Sequence, residues 1–199
     1  MQSFAAHHHH IELHAWLNVY PGWRGSKPPE HPEQLYHKHP SWFVVDQFGD
    51  PQILNNSYMW LSPTHPGVQQ HILNICKELV SGYDIDGIHL DYCRYPGPNY
   101  SYDDKSVDLF KSIYKELPQN ISFSWRNWRQ NAITDLIASI HSMLHAQKPD
   151  ICLSAAVIGD PQRRKTLFLQ ETEVWMKRGI LDAVYPMLYT QDMRSFNIW

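Results

Sequence analysis

Asp84-Ile85-Asp86-Gly87-Ile88-His89-Leu90-Asp91-Tyr92-Cys93-Arg94-Tyr95-Pro96 reads as a short β-strand that carries polar residues to its own C-terminal end. Strand alternation puts Gly87, His89, Asp91 and Cys93 on one face and Ile88, Leu90 and Tyr92 on the other. Pro96-Gly97-Pro98 then ends the strand, because proline has no N–H to give to a ladder and the triplet turns the chain. A carboxylate, Asp91, is left at the strand's exit beside Arg94.

Upstream, Val68, Ile72, Ile75 and Leu79 recur at helical spacing through Gly67 to Ser81, with Gly82 placed as a stop. Before that helix, Pro21 to Pro66 is dense in Pro, Gly, His and aromatics, far longer than a usual connection of about 4–6 residues. Its aromatics argue for an ordered, functional loop. Ile11 to Tyr20 alternates cleanly, with Ile11, Leu13, Ala15, Leu17 and Val19 on one face and Glu12, His14, Trp16, Asn18 and Tyr20 on the other. The histidine run within Met1 to His10 is read as the end of a helix, with part of a purification tag or a weak metal-binding tract as the alternatives. Downstream, Asp103 and Asp104 introduce a helix from Lys105 to Leu117, and a longer one spans Trp128 to Gln147 before Pro149. Ile151 to Val157 is a buried-type strand, Thr166 to Arg178 a helix stopped by Gly179, and Leu181 to Tyr189 a strand interrupted by Pro186.

This succession is a βαβ series and predicts an α/β fold of parallel strands wrapped by helices. A (β/α)8 TIM barrel uses about 250 residues and eight strands. The 199-residue chain is therefore expected to be a single domain, residues 1–199, holding about four central βα units of such a barrel. A small open doubly wound sheet is the alternative, but no Gly-rich nucleotide loop follows any strand. A hydrophobic content of 43% supports a sizeable core, and a net charge of -3 carries no footprint for nucleic acid or an anionic membrane. Three dispersed cysteines (Cys76, Cys93, Cys152) make neither a disulfide framework nor a metal knuckle. No membrane span is expected, and Met1 to Ala6 is too short for the apolar region of a signal peptide.

Several segments, in order, resemble the glycoside-hydrolase-like family ten, also called the domain-of-unknown-function 187 group. Leu13-His14-Ala15-Trp16-Leu17-Asn18 is similar to that family's third strand, and His39-Pro40-Ser41-Trp42 and Trp60-Leu61-Ser62-Pro63 to pieces of its long loop. Asp84 to Pro96 resembles its "YDVDGIHFDDYFYP" segment, Trp125 to Asp150 the helix before its fifth strand, and Trp175 to Tyr189 the approach to its sixth strand and that strand itself. The resemblance implies a barrel fold and hydrolysis of O-glycosidic bonds in a polysaccharide or glycan, bacterial cell-wall glycan included, by a full-length protein outside the cytoplasm or in the cell envelope. It also implies that strands one, two, seven and eight have no counterpart here. Tyr92 stands where the pattern has a second Asp, Met187 where it has Gln, and Ala155-Ala156-Val157 where it has a more polar end.

Glycoside hydrolysis ordinarily uses two carboxyl groups flanking the bond. Asp91 is the first candidate, as nucleophile or stabiliser, because barrel enzymes place their chemistry at the C-terminal ends of strands. Asp160 and Asp192, just after the third and fourth strands, are the acid/base candidates, with a carboxylate on an absent strand as the alternative. His14, Trp16, Asn18 and His89 are expected to line the interior, and Trp60, Tyr92, Arg94, Tyr95 and Tyr189 to complete the substrate contacts. No cofactor is required. Two other readings stay open: a metal-dependent hydrolase using His14, His89 and Asp91, and a non-catalytic glycan-binding remnant. Exposed edges of a partial barrel also predict self-association.

Overall fold

The computed structural model describes residues 2–193 and 196. Helix α1 (Gln2–His8) leads into β1 (His14–Asn18), after which a long excursion holds β2 (Pro21–Arg24), α2 (Leu35–Lys38), a 3-10 turn at Pro40–Trp42 and β3 (Tyr58–Trp60). Then come α3 (Pro66–Gly82), β4 (Gly87–Asp91), α4 (Asp104–Tyr114), α5 (Ser122–Gln147), β5 (Cys152–Ile158), α6 (Pro161–Thr166), α7 (Thr172–Lys177) and β6 (Ala183–Met187). The histidine run does end a helix, α1.

The sheet order is β1-β4-β5-β6, every neighbouring pair parallel. The fold is α/β, a central parallel sheet flanked by helices. Alternation gives that sheet two unlike faces. On one, Ile88 and Leu90 of β4 and Leu153, Ala155 and Val157 of β5 are buried with Val68, Ile72 and Cys76 of α3 and with Ile133, Ile137, Ile140 and Leu144 of α5. Burial of each such aliphatic side chain contributes roughly 1.5–3 kcal/mol. α3 begins where Pro66 occupies the first turn and the His65 ring accepts the Gly67 N–H at 3.1 Å. α5 lacks a capping side chain at its start, so its apolar stripe against the sheet supplies its stability.

Several features depart from the sequence reading, among them an earlier start of α5, at Ser122 rather than Trp128. The long loop contains an antiparallel pair, β2 with β3. It is fastened to α4 by a buried cluster in which Asp103 accepts from Ser62 Oγ at 2.6 Å and from Ser106 Oγ at 2.8 Å, while Thr64 Oγ1 lies 2.7 Å from Ser106 Oγ. The helix expected over 166–178 is realised only from Thr172 to Lys177 (α7), and a separate short helix, α6, ends at Thr166. Leu169 between them has φ 56°, and the buried Gln170 amide donates to the Cys93 carbonyl at 3.2 Å while its oxygen accepts the Ile158 N–H at 3.0 Å. Those long-range bonds hold the segment out of the helix. Finally, the alternation of β4 stops at Tyr92, whose φ of 52° is left-handed. Cys93, expected beside Asp91, turns into the core instead, where burial pushes its thiol well up from its ordinary value.

Gly87 pairs with His14 on one side and Cys152 on the other. A Cβ there would strike the His14 ring and lie 2.8 Å from the Cys152 carbonyl oxygen. Gly87→Ala is expected to destabilise the fold by about 1–3 kcal/mol and to displace His14, read by denaturant unfolding and by the His14 imidazole resonances. At the same end of the sheet, His7 of α1 reaches Asp86 at 2.8 Å and Asp84 at 3.2 Å, and Asp86 also accepts the Leu13 N–H at 2.7 Å. The hydrogen bond to Asp86 raises the His7 pKa above 6.5, and the Leu13 and His7 bonds lower that of Asp86 below 3.8. The clasp is therefore complete between about 3.8 and 6.5; it weakens as pH rises through the raised His7 value or falls through the lowered Asp86 value. An NMR titration should place His7 above 6.5, and Asp86→Asn should bring it down.

Candidate active site

The other face of the sheet is concave and polar. Every second residue of each strand points there: His14 and Trp16 from β1, His89 and Asp91 from β4, Ser154 and Ala156 from β5, Tyr185 and Met187 from β6. With Glu12, Pro186 and Tyr189 they line a cavity of about 470 Å³, within the size range of small-ligand clefts. Large aromatic surfaces are left uncovered in it, Trp16 being 67% and Tyr189 88% exposed.

Asp91 ends β4 and is nearly buried. Its Oδ1 accepts the Tyr92 N–H at 2.6 Å, and its carbonyl accepts the Val19 N–H at 2.9 Å, so both side chain and backbone are fixed. The Arg94 Nη1 approaches Asp91 Oδ1 at 3.8 Å. The guanidinium is held over the Tyr92 ring at 4.4 Å and near Phe168 and Trp60 at 5.8 and 5.9 Å. Burial lowers the Arg94 pKa, opposed by the Asp91 carboxylate. Arg94 thus backs Asp91 from behind and does not itself line the cavity.

His89 lies one step deeper on the same face. It sits against Trp16, with ring centroids 4.4 Å apart, and edge-on to Tyr185 at 5.3 Å. Its Nδ1 is 2.9 Å from Ser154 Oγ. Burial lowers its pKa, against the raising influence of Asp91, so the imidazole is neutral at pH 7.

Of the sequence candidates, the structure brings together His14, Trp16, His89, Asp91 and Tyr189. Asn18 is exposed at the end of β1, in register with Asp91 but outside the cavity lining. Trp60, Tyr92, Arg94 and Tyr95, expected as substrate contacts, lie outside the cavity lining. Trp60 is buried in the core and packs on Tyr92, which also packs on Tyr58; Tyr95 is wholly buried and its hydroxyl donates to the Arg129 carbonyl at 2.9 Å. The left-handed turn at Tyr92 redirects the chain after Asp91 and so withdraws Tyr92 and Tyr95, whereas Trp60 is buried by the packing of β3. Asp160 caps α6, its Oδ1 accepting the Arg163 N–H at 3.0 Å. Asp192 follows β6, exposed and outside the cavity lining. His14 turns its Nε2 to Glu12 at 3.2 Å. Among the described residues no three His, Cys, Asp or Glu side chains are grouped to hold a metal, so the set of His14, His89 and Asp91 is not assembled as a metal site. Ser154, Ala156, Tyr185 and Met187 were not anticipated as lining residues. Their period-two spacing on β5 and β6 is the signal that finds them once the facing direction is known.

Consecutive parallel βα units with a fixed carboxylate at a strand's C-terminal end, facing an aromatic cavity, define an α/β protein with a central parallel sheet and a cavity on one of its faces. Family comparison is more specific: residues 4–198 match the glycosyl hydrolase-like 10 family, and the chain belongs to it. Among similar curated proteins are the glycosyl hydrolase DigH of Escherichia coli, 25% identical over 96% of this chain and 45% of that protein, and the glycosyl hydrolase YngK of Bacillus subtilis, 24% identical over 92% and 37%. The chain spans less than half the length of these relatives. The PgaB (BpsB) glycoside hydrolase domain from Bordetella bronchiseptica shares the fold, with a TM-score of 0.66 and 16% identity over 90% of this chain and 51% of that one. Among the described residues no helix is long and apolar enough to cross a membrane.

An NMR titration is expected to place His89 below 6.5. Because Asp91 raises it, Asp91→Asn should lower the midpoint further. The unfolded chain protonates first, so this contribution to stability is lost as pH falls below about 6.5.

Proposed function

We propose that this chain forms part of the active site of a glycoside hydrolase acting on O-glycosidic bonds of a polysaccharide or glycan, with Asp91 as its nucleophile or stabilising carboxylate. The observation that carries this reading is the placement of Asp91. It is fixed by the Tyr92 N–H, backed by Arg94 and aimed into a cavity whose walls are Trp16, Tyr185 and Tyr189. Exposed aromatic faces suit the apolar faces of sugar rings, and a carboxylate beside them suits attack on, or stabilisation of, an oxocarbenium-like centre. Membership of a glycosyl hydrolase-like family and the names of the curated relatives point the same way.

In this reading the protonated partner carboxyl comes from outside this four-stranded sheet. Asp160 is engaged as a helix cap, and Glu12, the other carboxylate lining the cavity, precedes β1 and so lies at the opposite end of the strands from Asp91. In this reading the parent protein completes the barrel by pairing further strands to the open edges at β1 and β6, and its substrate is bacterial cell-wall glycan, which places it outside the cytoplasm or in the envelope.

The test is Asp91→Asn in the protein that carries this chain, assayed on cell-wall glycan strands and on unrelated polysaccharides. The rate should fall by roughly 10²–10⁴-fold, with glycan binding and the unfolding midpoint retained. Cleavage at an undiminished rate would remove Asp91 from the mechanism; glycan binding without cleavage by the unaltered protein would favour a binding role.

A further inference from the structure

Resting on the reading of the cavity as a glycan site, a more specific assignment follows from Ser154 and His89. The two residues are direct partners in the parallel ladder between β4 and β5, both on the concave face. Ser154 is only 1% exposed, and its hydroxyl lies 2.9 Å from His89 Nδ1. Among the described residues that hydroxyl forms no other hydrogen bond.

A proton count then fixes the tautomer. A buried hydroxyl proton is ordinarily satisfied, and the acceptor in reach of Ser154 is His89 Nδ1. If Nδ1 instead carried the imidazole proton and donated to Ser154 Oγ, the serine's own proton would be left buried without an acceptor, at a cost of about 1–3 kcal/mol. Ser154 therefore donates to Nδ1. A neutral imidazole with an accepting Nδ1 carries its proton on Nε2. Burial on the strand keeps the ring neutral. Trp16 on one side and Tyr185 on the other restrict its rotation. Nε2 makes no hydrogen bond to any described residue, and His89 is part of the cavity wall, one position deeper along the face than Asp91.

We propose that Ser154 is a positioning residue that locks His89 as an Nε2–H donor, and that His89 donates this hydrogen bond to a hydroxyl oxygen of the sugar unit bound between Trp16 and Tyr185. The arrangement selects for an acceptor at that point of the sugar. A group able only to donate would meet a second donor.

The tautomer is read directly from long-range proton–nitrogen correlations of the His89 ring at neutral pH, in the protein that carries this chain. The unaltered protein should show protonated Nε2 and unprotonated Nδ1. Ser154→Ala should relax this pattern towards a tautomer mixture and raise KM for the glycan roughly tenfold with kcat little changed, and Ser154→Thr, which restores a hydroxyl, should recover both. A merely structural serine would not move the nitrogen pattern. A protonated Nδ1 in the unaltered protein, or Ser154→Ala leaving both the pattern and KM unchanged, would overturn the proposal. So would an Asp91-dependent glycan cleavage whose KM does not respond to His89→Phe. If the nitrogen pattern is as described but the protein neither binds nor cleaves glycan, the glycan reading and the sugar contact fall together, whereas the Ser154–His89 lock stands.

Discussion

The register of β4 is the constraint on which the rest depends. It is paired on both edges, to β1 and to β5, and its two faces have opposite chemistry. A slip of one residue would carry Ile88 and Leu90 into the cavity and His89 and Asp91 under α3 and α5, exchanging aliphatic burial for two buried polar groups. Gly87 reinforces the alignment, because the His14 ring and the Cys152 carbonyl occupy the space a side chain would need. Core and site are thus specified by one pairing.

A second constraint acts where the strand stops. Tyr92 adopts a left-handed backbone conformation, and the chain beyond it dives back into the protein. Arg94 is caught between aromatic rings beneath Asp91, and Tyr95 is tied to α5 through the Arg129 carbonyl. The carboxylate is held from the backbone side by its own neighbour's N–H and from behind by a guanidinium, so its position is not left to a mobile loop. The Asp103 cluster does the same for the long excursion, tying Ser62 and Thr64 to the start of α4.

Much of this was legible in the amino-acid order. The alternation of Ile11 to Tyr20 and of Asp84 to Asp91 marked two strands and assigned their faces, and His14, Trp16, His89 and Asp91 meet as that alternation implies. The pairing of β2 with β3 was not legible, because a stretch crowded with proline, histidine and aromatics has neither period. The break between α6 and α7 was hidden because its cause is distant: Gln170 bonds to Cys93 and Ile158. Ser154, Ala156, Tyr185 and Met187 were missed for a different reason. Ile151 to Val157 is apolar but for Ser154 and reads as a buried-type strand, which does not say which side faces a cavity.

What the chain determined by itself is therefore the local and periodic part: the strand and helix succession, the parallel α/β class, and a carboxylate delivered at the end of β4. The tertiary structure decided which side chains share a space. Periodicity says that two residues lie on one face of one strand, but the contacts of His89 with Ser154, Trp16 and Tyr185 depend on the stagger between strands. Likewise, the withdrawal of Arg94 and Tyr95 from the cavity depends on a single left-handed residue, and that of Trp60 on the packing of β3. Those are energies of pairing and close packing between distant segments, and no local pattern encodes them.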